Sequence, residues 1–157
     1  MFNIIAPFVE NSKVLDLFSG SGSLAIEALS RGAQSAVLVD KNPESIKIIN
    51  RNLEYSRFTE SSKVLNLDFN DALKILSNEK NKFDLIFLDP PYSKSLIDIS
   101  LKLISNYELI VEDGLIVAEK YIDDVIPENE GFIKLVRKQK YGSTELCFYR
   151  CFVENSN

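Results

Sequence analysis

The sequence contains no histidine and no tryptophan, and it has only two cysteines among its 157 residues. Without histidine, the chain lacks the commonest general base and any histidine-ligated metal site, and two cysteines are too few for a structural zinc site. Cys147 and Cys151 lie four positions apart on a predicted strand, so they share a face but are too far apart to form a disulfide. We therefore expect no metal, and chemistry based on carboxylates, hydroxyls, backbone groups or an organic cofactor.

Long apolar runs are also missing. No stretch approaches the roughly 18 apolar residues that cross a bilayer, and the N-terminus shows no basic segment followed by an apolar one. We expect a cytoplasmic protein that does not contact membranes.

The net charge of −5 argues against nonspecific adhesion to nucleic acid. A local basic patch is still available at Lys134, Arg137, Lys138 and Lys140, although a solvated strand face explains these residues equally well.

Apolar runs alternate with helical patterns along the chain. The runs predict strands at 14–18, 35–39, 63–67, 83–88 and 115–119, with helices between them. Residues 132–137 and 145–152 alternate in polarity around Tyr141-Gly142-Ser143, which predicts a closing hairpin. The predicted fold is one doubly wound α/β domain over residues 1–157. It has a mostly parallel, seven-stranded sheet with helices on both faces and a C-terminal antiparallel hairpin.

Residues that do not look like core follow four of these predicted strands. They are Gly20-Ser21-Gly22 after the first strand, Asp40 after the second, Asp68 or Asp71 after the third, and Asp89-Pro90-Pro91-Tyr92 after the fourth. Ligands of doubly wound sheets bind outside the carboxyl ends of the strands. The last segment, taken alone, could be a strand terminator with a solvated acid and a packing tyrosine. Its coincidence with the other three strand ends predicts a site.

The segment Gly20-Ser21-Gly22-Ser23-Leu24-Ala25 fits the pattern G-x-G-x-x-[GA], and Asp40 follows about twenty residues later. This pattern predicts an adenosine-type ligand, with the backbone close to the ligand at the glycines and Asp40 on the ribose hydroxyls. A tight strand-to-helix turn is the alternative explanation. The pattern does not choose between NAD and S-adenosylmethionine, but a carboxylate inside the first strand, Asp16, suits the cationic S-adenosylmethionine. Asp71, beside Ala72, can accept a hydrogen bond from an adenine amino group.

Four segments resemble those of one enzyme family. They are VLDLFSGSGSL at residues 14–24, EALSRGA at 27–33, DPPY at 89–92 and YGST at 141–144. Together they resemble the RsmD-type 16S ribosomal RNA guanine-N2 methyltransferases, which are Rossmann-like class I enzymes that use S-adenosylmethionine. The resemblance runs from Phe2-Asn3 to Phe148-Tyr149. Family members carry a basic segment ahead of that start, and the resemblance implies that it helps to close the cofactor site and hold RNA.

The resemblance implies methyl transfer to the exocyclic N2 amino group of a guanine in 16S ribosomal RNA or the small ribosomal subunit, with a monomeric enzyme. We expect an in-line displacement in which Asp89 and the Pro90 carbonyl each accept one N–H of the amino group. Asp89 then takes up the released proton. Pro91 stiffens this segment, and Tyr92 stacks on the extruded base.

The expected cofactor site has ten members. They are Asp16, Phe18, Gly20, Ser21, Gly22, Asp40, Lys41, Asp71, Ala72 and Asp89. Asp16 is expected near the methionine amino group. Asp71 is preferred to Asp68 for the adenine amino group, because its Asn70-Asp71-Ala72-Leu73 setting resembles the family's.

Three other functions remain open at this point. A DNA adenine or cytosine amino methyltransferase would use the same acid-Pro-Pro-aromatic segment. An NAD-binding oxidoreductase fits the glycine pattern but leaves Asp16 and the segment at 89–92 unexplained. The third alternative is a cofactor-binding domain without activity.

Overall fold

The computed structural model describes residues 1–91 and 96–153. Its strands are β1 Lys13–Asp16, β2 Ser35–Val39, β3 Ser62–Leu65, β4 Phe83–Leu88, β5 Ile110–Tyr121, β6 Asn129–Glu130, β7 Ile133–Tyr141 and β8 Thr144–Cys151. Its helices are α1 Phe2–Ile5, α2 Ser23–Ser30, α3 Pro43–Ser56, α4 Phe69–Asn78 and α5 Leu96–Asn106, with 3-10 turns at Ala6–Phe8 and Thr59–Ser61. Among these residues, no helix combines the length and apolar character needed to cross a membrane.

The strands form one sheet in the order β3-β2-β1-β4-β5-β8-β7-β6. Strands β3, β2, β1, β4 and β5 pair in parallel, and β8 pairs antiparallel with both β5 and β7. The order reverses between β1 and β4, which is the arrangement of a doubly wound sheet. The predicted α/β architecture with a C-terminal hairpin is confirmed. The extent of the domain, residues 1–157, stays a prediction.

The predicted count of seven strands is wrong, because the sheet contains eight within residues 1–91 and 96–153. The additional strand is Asn129–Glu130, which pairs with β7 and is too short to show an alternating pattern. The start of β5 also differs: it lies at Ile110 rather than at the predicted Leu115. Gly114 lies inside this strand, beside a register irregularity. A Cβ there would be only 2.6 Å from Ile110 Cγ1, so the glycine allows a close packing that its sequence position does not reveal.

The sheet separates two apolar cores. Val14 and Leu85 belong to the core that packs against α1, α2 and α3, whereas Leu15 and Ile86 belong to the core against α4 and α5. Successive residues of a strand point to opposite faces, so strands buried on both faces require almost continuous apolar runs. This requirement explains why the parallel strands were visible in the sequence. Cys147 and Cys151 share the second core and are both free thiols, as predicted.

Two helix caps lie at the sheet edge that carries the strand carboxyl ends. Asn42 caps α3, with its Oδ1 accepting a hydrogen bond from the Glu44 N–H at 2.9 Å. Asp68 caps α4, with its Oδ2 accepting from the Asn70 N–H at 3.1 Å. Asn70 and Asp71 both lie inside this helix. Each cap places a polar side chain close to the end of β2 or β3.

Candidate active site

A cavity of about 890 Å³ opens where the carboxyl ends of β1, β2, β4 and β5 meet. The described residues that line it are 17–21, 23, 24, 40–42, 45, 67–69, 89–91, 96, 97, 119–121, 124, 143 and 144. Eight members of the predicted site share this wall: Phe18, Gly20, Ser21, Asp40, Lys41, Asp89, Pro90 and Pro91. The strand-end residues singled out in the sequence are therefore brought to one place by the fold.

The glycine loop, Gly20-Ser21-Gly22, turns the chain from β1 into α2. Gly20 has a φ of +59° and Gly22 a φ of +84°, a left-handed conformation that glycine adopts without the penalty of a Cβ. A Cβ on Gly20 would meet nothing within 4 Å, whereas one on Gly22 would lie 3.1 Å from Cδ2 of Leu38. Gly20 thus leaves open space over the backbone at the cavity wall. Gly22 lets the start of α2 pack closely against β2.

Asp40 joins the glycine loop to the end of β2. Its Oδ2 accepts a hydrogen bond from the Gly20 N–H at 2.9 Å, and its Oδ1 accepts one from the Asn42 N–H at 2.9 Å. These two bonds hold the carboxylate in place, yet each oxygen retains capacity for a further hydrogen bond. Asp40 is therefore a positioned acceptor in the cavity wall.

Asp16 lies at the carboxyl end of β1 with only 1% of its surface exposed. It precedes the first residue of the cavity wall, Leu17, and does not itself line the cavity. Within the described part of the chain, neither carboxylate oxygen has a hydrogen-bond partner. The pKa of this carboxyl rises from 3.8 to about 7, chiefly because of burial; the Ser19 hydroxyl and the Ala25 N–H oppose the rise, and the charges of Asp89 and Asp40 add a smaller increase. Because unpartnered buried polar groups are costly, Asp16 suits a cationic ligand nearby.

The structure places Asp68, rather than Asp71, on the cavity wall. Asp68 and Phe69 line the cavity, and the Phe69 ring centroid lies 5.4 Å from that of Phe18, another wall residue. Asp71 is exposed outside the lining, and Ala72 is fully buried in the core. The reason is the position of α4 against the sheet: Asp68 caps the helix at the sheet edge, whereas the first turn of α4 carries Asp71 away from it.

The corner, defined as Asp89-Pro90-Pro91-Tyr92, follows β4 directly. Asp89, Pro90 and Pro91 line the cavity, whereas Tyr92 lies outside the described residues. Asp89 keeps an exposed surface, yet loss of surrounding water raises the pKa of its carboxyl from 3.8 to about 6, and the nearby Glu119 charge contributes. Asp89 is thus ionised near pH 7 but accepts a proton more readily than an ordinary aspartate.

Comparison with known protein families gives one match over residues 1–150, to the family described as conserved hypothetical protein 95. The chain belongs to this family. It is 38% identical over 150 residues to the Bacillus subtilis protein named "Putative rRNA methyltransferase YlbH", covering 96% of this chain and 82% of that protein. It is 32% identical over 137 residues to "Ribosomal RNA small subunit methyltransferase D" of Haemophilus influenzae, covering 85% and 70%. The resemblance stated above is confirmed.

Several solved structures share the fold of this protein. A conserved hypothetical protein from Streptococcus pyogenes superposes with a TM-score of 0.88 at 34% identity, covering 96% of this chain and 92% of that one. An RNA methyltransferase from Salinibacter ruber, in complex with S-adenosyl-L-homocysteine, gives a TM-score of 0.71 at 15% identity, covering 98% and 91%. The second likeness concerns the fold alone. The predicted class I methyltransferase architecture is confirmed.

The carboxyl end of β5 was missed at the sequence level. Glu119 lines the cavity there, beside Lys120, whose Nζ lies 3.2 Å from Glu145 Oε1 in a buried ion pair. The same Nζ donates to the carbonyl oxygens of Tyr121 and Ile122, each at 3.0 Å. This cluster fastens β5 to β8 where both border the cavity. Ligands of doubly wound sheets bind at the carboxyl ends of the parallel strands. Applying this rule to β5 as well would have predicted Glu119 as a residue of the site.

The site is rich in hydrogen-bond acceptors. Asp40, Asp68, Asp89 and Glu119 place carboxylates on its wall, and Pro90 has a carbonyl but no N–H. Such a wall favours ligands that carry positive charge or several N–H and O–H donors. In the described ranges, no three His, Cys, Asp or Glu side chains are grouped to hold a metal ion, and the expectation of no metal stays a prediction.

Proposed function

We propose that this protein transfers a methyl group from S-adenosylmethionine to the exocyclic N2 amino group of a guanine in 16S ribosomal RNA, free or within the small subunit. We propose that it acts as a single-domain monomer. One observation carries the proposal: the Asp89-Pro90 corner lines the same cavity as the glycine loop and Asp40. Relatives named as ribosomal RNA methyltransferases support the substrate class.

The residues around the cavity fit S-adenosylmethionine. The open space over Gly20 accommodates a ligand close to the backbone, and Asp40 has acceptor capacity for ribose hydroxyls. Asp16 precedes the wall residue Leu17, and its buried carboxyl supplies negative charge close to an amino group or sulfonium bound in the cavity. A buried carboxylate at the end of β1 is poorly suited to a pyrophosphate nearby, which disfavours NAD. When bound, S-adenosylmethionine supplies an electrophilic methyl group on a sulfonium.

The adenine end of the cofactor is assigned to the start of α4. Asp68 replaces Asp71 in this proposal, because Asp68 is on the cavity wall and Asp71 is not. Phe18 and Phe69 provide apolar ring surface beside it. This arrangement places an acceptor for the adenine amino group next to flat side chains that pack against the purine.

The corner prepares the acceptor amino group. A guanine N2 amino group is a poor nucleophile because its lone pair is delocalised into the ring. The Asp89 carboxylate and the Pro90 carbonyl each accept one N–H, which directs the lone pair away from the two acceptors and toward the methyl group. Asp89 then takes the proton that leaves the nitrogen, and its raised pKa of about 6 suits that role. Most of the rate enhancement comes from positioning.

Replacing Asp89 with alanine tests this assignment. We expect Asp89→Ala to bind S-adenosylmethionine nearly as well as wild type in calorimetry. Loss of a general base typically lowers rates by about 10²–10⁴-fold, so labelled methyl transfer to unmethylated small-subunit RNA should become undetectable or nearly so. In the free wild-type enzyme, kcat/KM should rise as the pH increases through about 6, where Asp89 becomes ionised.

The matched control is Asp123→Ala, an exposed aspartate in the loop after β5, which should retain full activity. Retained turnover in Asp89→Ala would remove that residue from the chemistry. Methyl transfer to DNA but not to ribosomal RNA would favour the DNA amino methyltransferase alternative. Stabilisation by NAD, with no response to S-adenosylmethionine or S-adenosylhomocysteine, would overturn the proposed function itself.

A further inference from the structure

A smaller cavity of about 260 Å³ adjoins the main one at the corner. Four residues line both cavities: Leu24, Asp89, Glu119 and Thr144. Its volume lies just below the range of about 300–1,000 Å³ that is typical of small-molecule sites. The cavity therefore has the scale of one small planar group, and it shares Asp89 of the corner with the main cavity.

The walls of this smaller cavity are mostly apolar. Leu24, Val117 and Leu146 provide aliphatic surface, and the half-exposed Tyr141 adds an aromatic ring. Aromatic and aliphatic walls of this kind suit the faces of an extruded nucleobase. Its polar side chains include the carboxylates of Asp89 and Glu119.

The parallel pairing of β4 with β5 brings these two carboxylates close together at the ends of the strands. Phe87 pairs with Val117, and Leu88 pairs with Ala118. Asp89 directly follows the last residue of β4, and Glu119 follows Ala118 in β5. Both side chains line the smaller cavity together with Phe87 and Val117. Like charges that lie close together on neighbouring strands repel each other. The adjacent Lys120 does not relieve this repulsion, because it is bonded to Glu145 on the other face.

A pair of neighbouring acceptors distinguishes the nucleobases chemically. The Watson–Crick edge of guanine carries two adjacent donors, the N1–H and the N2 amino group. Adenine and cytosine instead place a ring nitrogen with a lone pair next to their amino group, and that lone pair would face the second carboxylate. Only the guanine edge offers each of the two carboxylates an N–H.

We propose that the smaller cavity receives the acceptor base and that Glu119 selects guanine by accepting its N1–H, while Asp89 holds the N2 amino group. This inference rests on the proposed function and adds the residue that determines its base specificity. The mutual influence of the two side chains is visible already in the free protein, where Glu119 raises the pKa of Asp89. An N1–H and an amino group between them would relieve that repulsion.

The test replaces the N1–H of the substrate rather than the whole base. Mapping of the wild-type product first locates the methylated guanosine, and a ligated RNA then carries 2,6-diaminopurine riboside at that position. This analogue keeps the 2-amino group but has an acceptor nitrogen at N1 and an amino group in place of O6, so the role of Glu119 is read from the change in preference between wild type and its variants. Wild type should prefer guanine on the order of 100-fold in kcat/KM, because a site built to accept a hydrogen bond rejects an analogue that lacks the donor.

Glu119→Gln should narrow that preference to below about tenfold, since an amide can donate to the analogue's ring nitrogen. Glu112→Gln, an exposed glutamate on the same strand, is the matched control and should keep the wild-type ratio. Glu119→Asp retains the charge and should keep the preference at a lower rate. Calorimetry with S-adenosylmethionine verifies that each variant is folded.

The outcomes distinguish the role of Glu119 in selecting guanine from the proposed methyltransferase function. An unchanged guanine preference in Glu119→Gln, or its loss in Glu119→Asp as well, would overturn the role of Glu119 while leaving methyl transfer intact. Absence of preference in wild type would overturn it too. If wild type methylates no guanine at all, the proposed function fails, and this inference fails with it.

Discussion

Replacing Asp16 with asparagine should flatten the dependence of folding stability on pH. Asp16 is buried, its two oxygens lack partners among the described residues, and its pKa rises from 3.8 to about 7 on burial. The folded state therefore binds this proton more tightly than the unfolded state does. The contribution of this protonated carboxyl to the free energy of unfolding is fully present below pH 3.8. It decreases as the pH rises and is lost once the pH passes about 7.

The magnitude follows from the size of the shift. One pKa unit corresponds to about 1.4 kcal/mol, so a rise from 3.8 to about 7 corresponds to roughly 4 kcal/mol over the whole transition. Between pH 5 and pH 8, about 2–3 kcal/mol of that difference should appear. Asp16→Asn cannot titrate, so the free energy of unfolding of wild type, relative to this variant, should fall by that amount across this interval.

Urea denaturation at pH 5 and pH 8 measures the effect by linear extrapolation. Other carboxylates titrate in both proteins, so only the difference between wild type and variant is interpreted. Asp123→Asn, at an exposed position, should follow wild type at both pH values. Parallel pH dependences for wild type and Asp16→Asn would refute the reasoning, because they would mean that Asp16 ionises in the folded protein as easily as in water.

Two further predictions concern the cavity wall. Asp40→Ala removes the acceptor that holds Gly20 and Asn42, so S-adenosylmethionine affinity should fall by about tenfold or more; calorimetry showing unchanged affinity would exclude Asp40 from the site. Lys120→Met leaves Glu145 buried and unpaired, which should cost about 3–5 kcal/mol of unfolding free energy. The double variant Lys120→Met/Glu145→Leu should recover most of that loss in urea denaturation. If the single and double variants lose the same unfolding free energy, the buried charge is not the cause.

Much of the sheet could be predicted because its strands are buried on both faces. The bounds of β2 and β4 agree with the sequence prediction, since an apolar run ending in a polar residue marks such a strand. The predicted strand ends also located Gly20, Asp40 and Asp89 at the carboxyl edge of the sheet, where all three line one cavity. These features depend on local pattern and on a general rule of parallel sheets.

Other features depended on contacts that no local pattern carries. The strand Asn129–Glu130 exists only through its pairing with β7. Asp68 and Asp71 are both acids at the start of α4, and the position of that helix against the sheet decided that Asp68 faces the cavity. Tyr92 lies outside the described residues, so its stacking role stays a prediction.

By itself, the sequence determined the doubly wound class, the glycine loop and the carboxylate at the corner, because each follows from the polarity and turn chemistry of a few neighbouring residues. The tertiary structure alone decided which acids meet. Asp89 and Glu119 are far apart in sequence, and the pairing of β4 with β5 brings them close together. That register is set by the packing of both sheet faces, so no short segment contains the information.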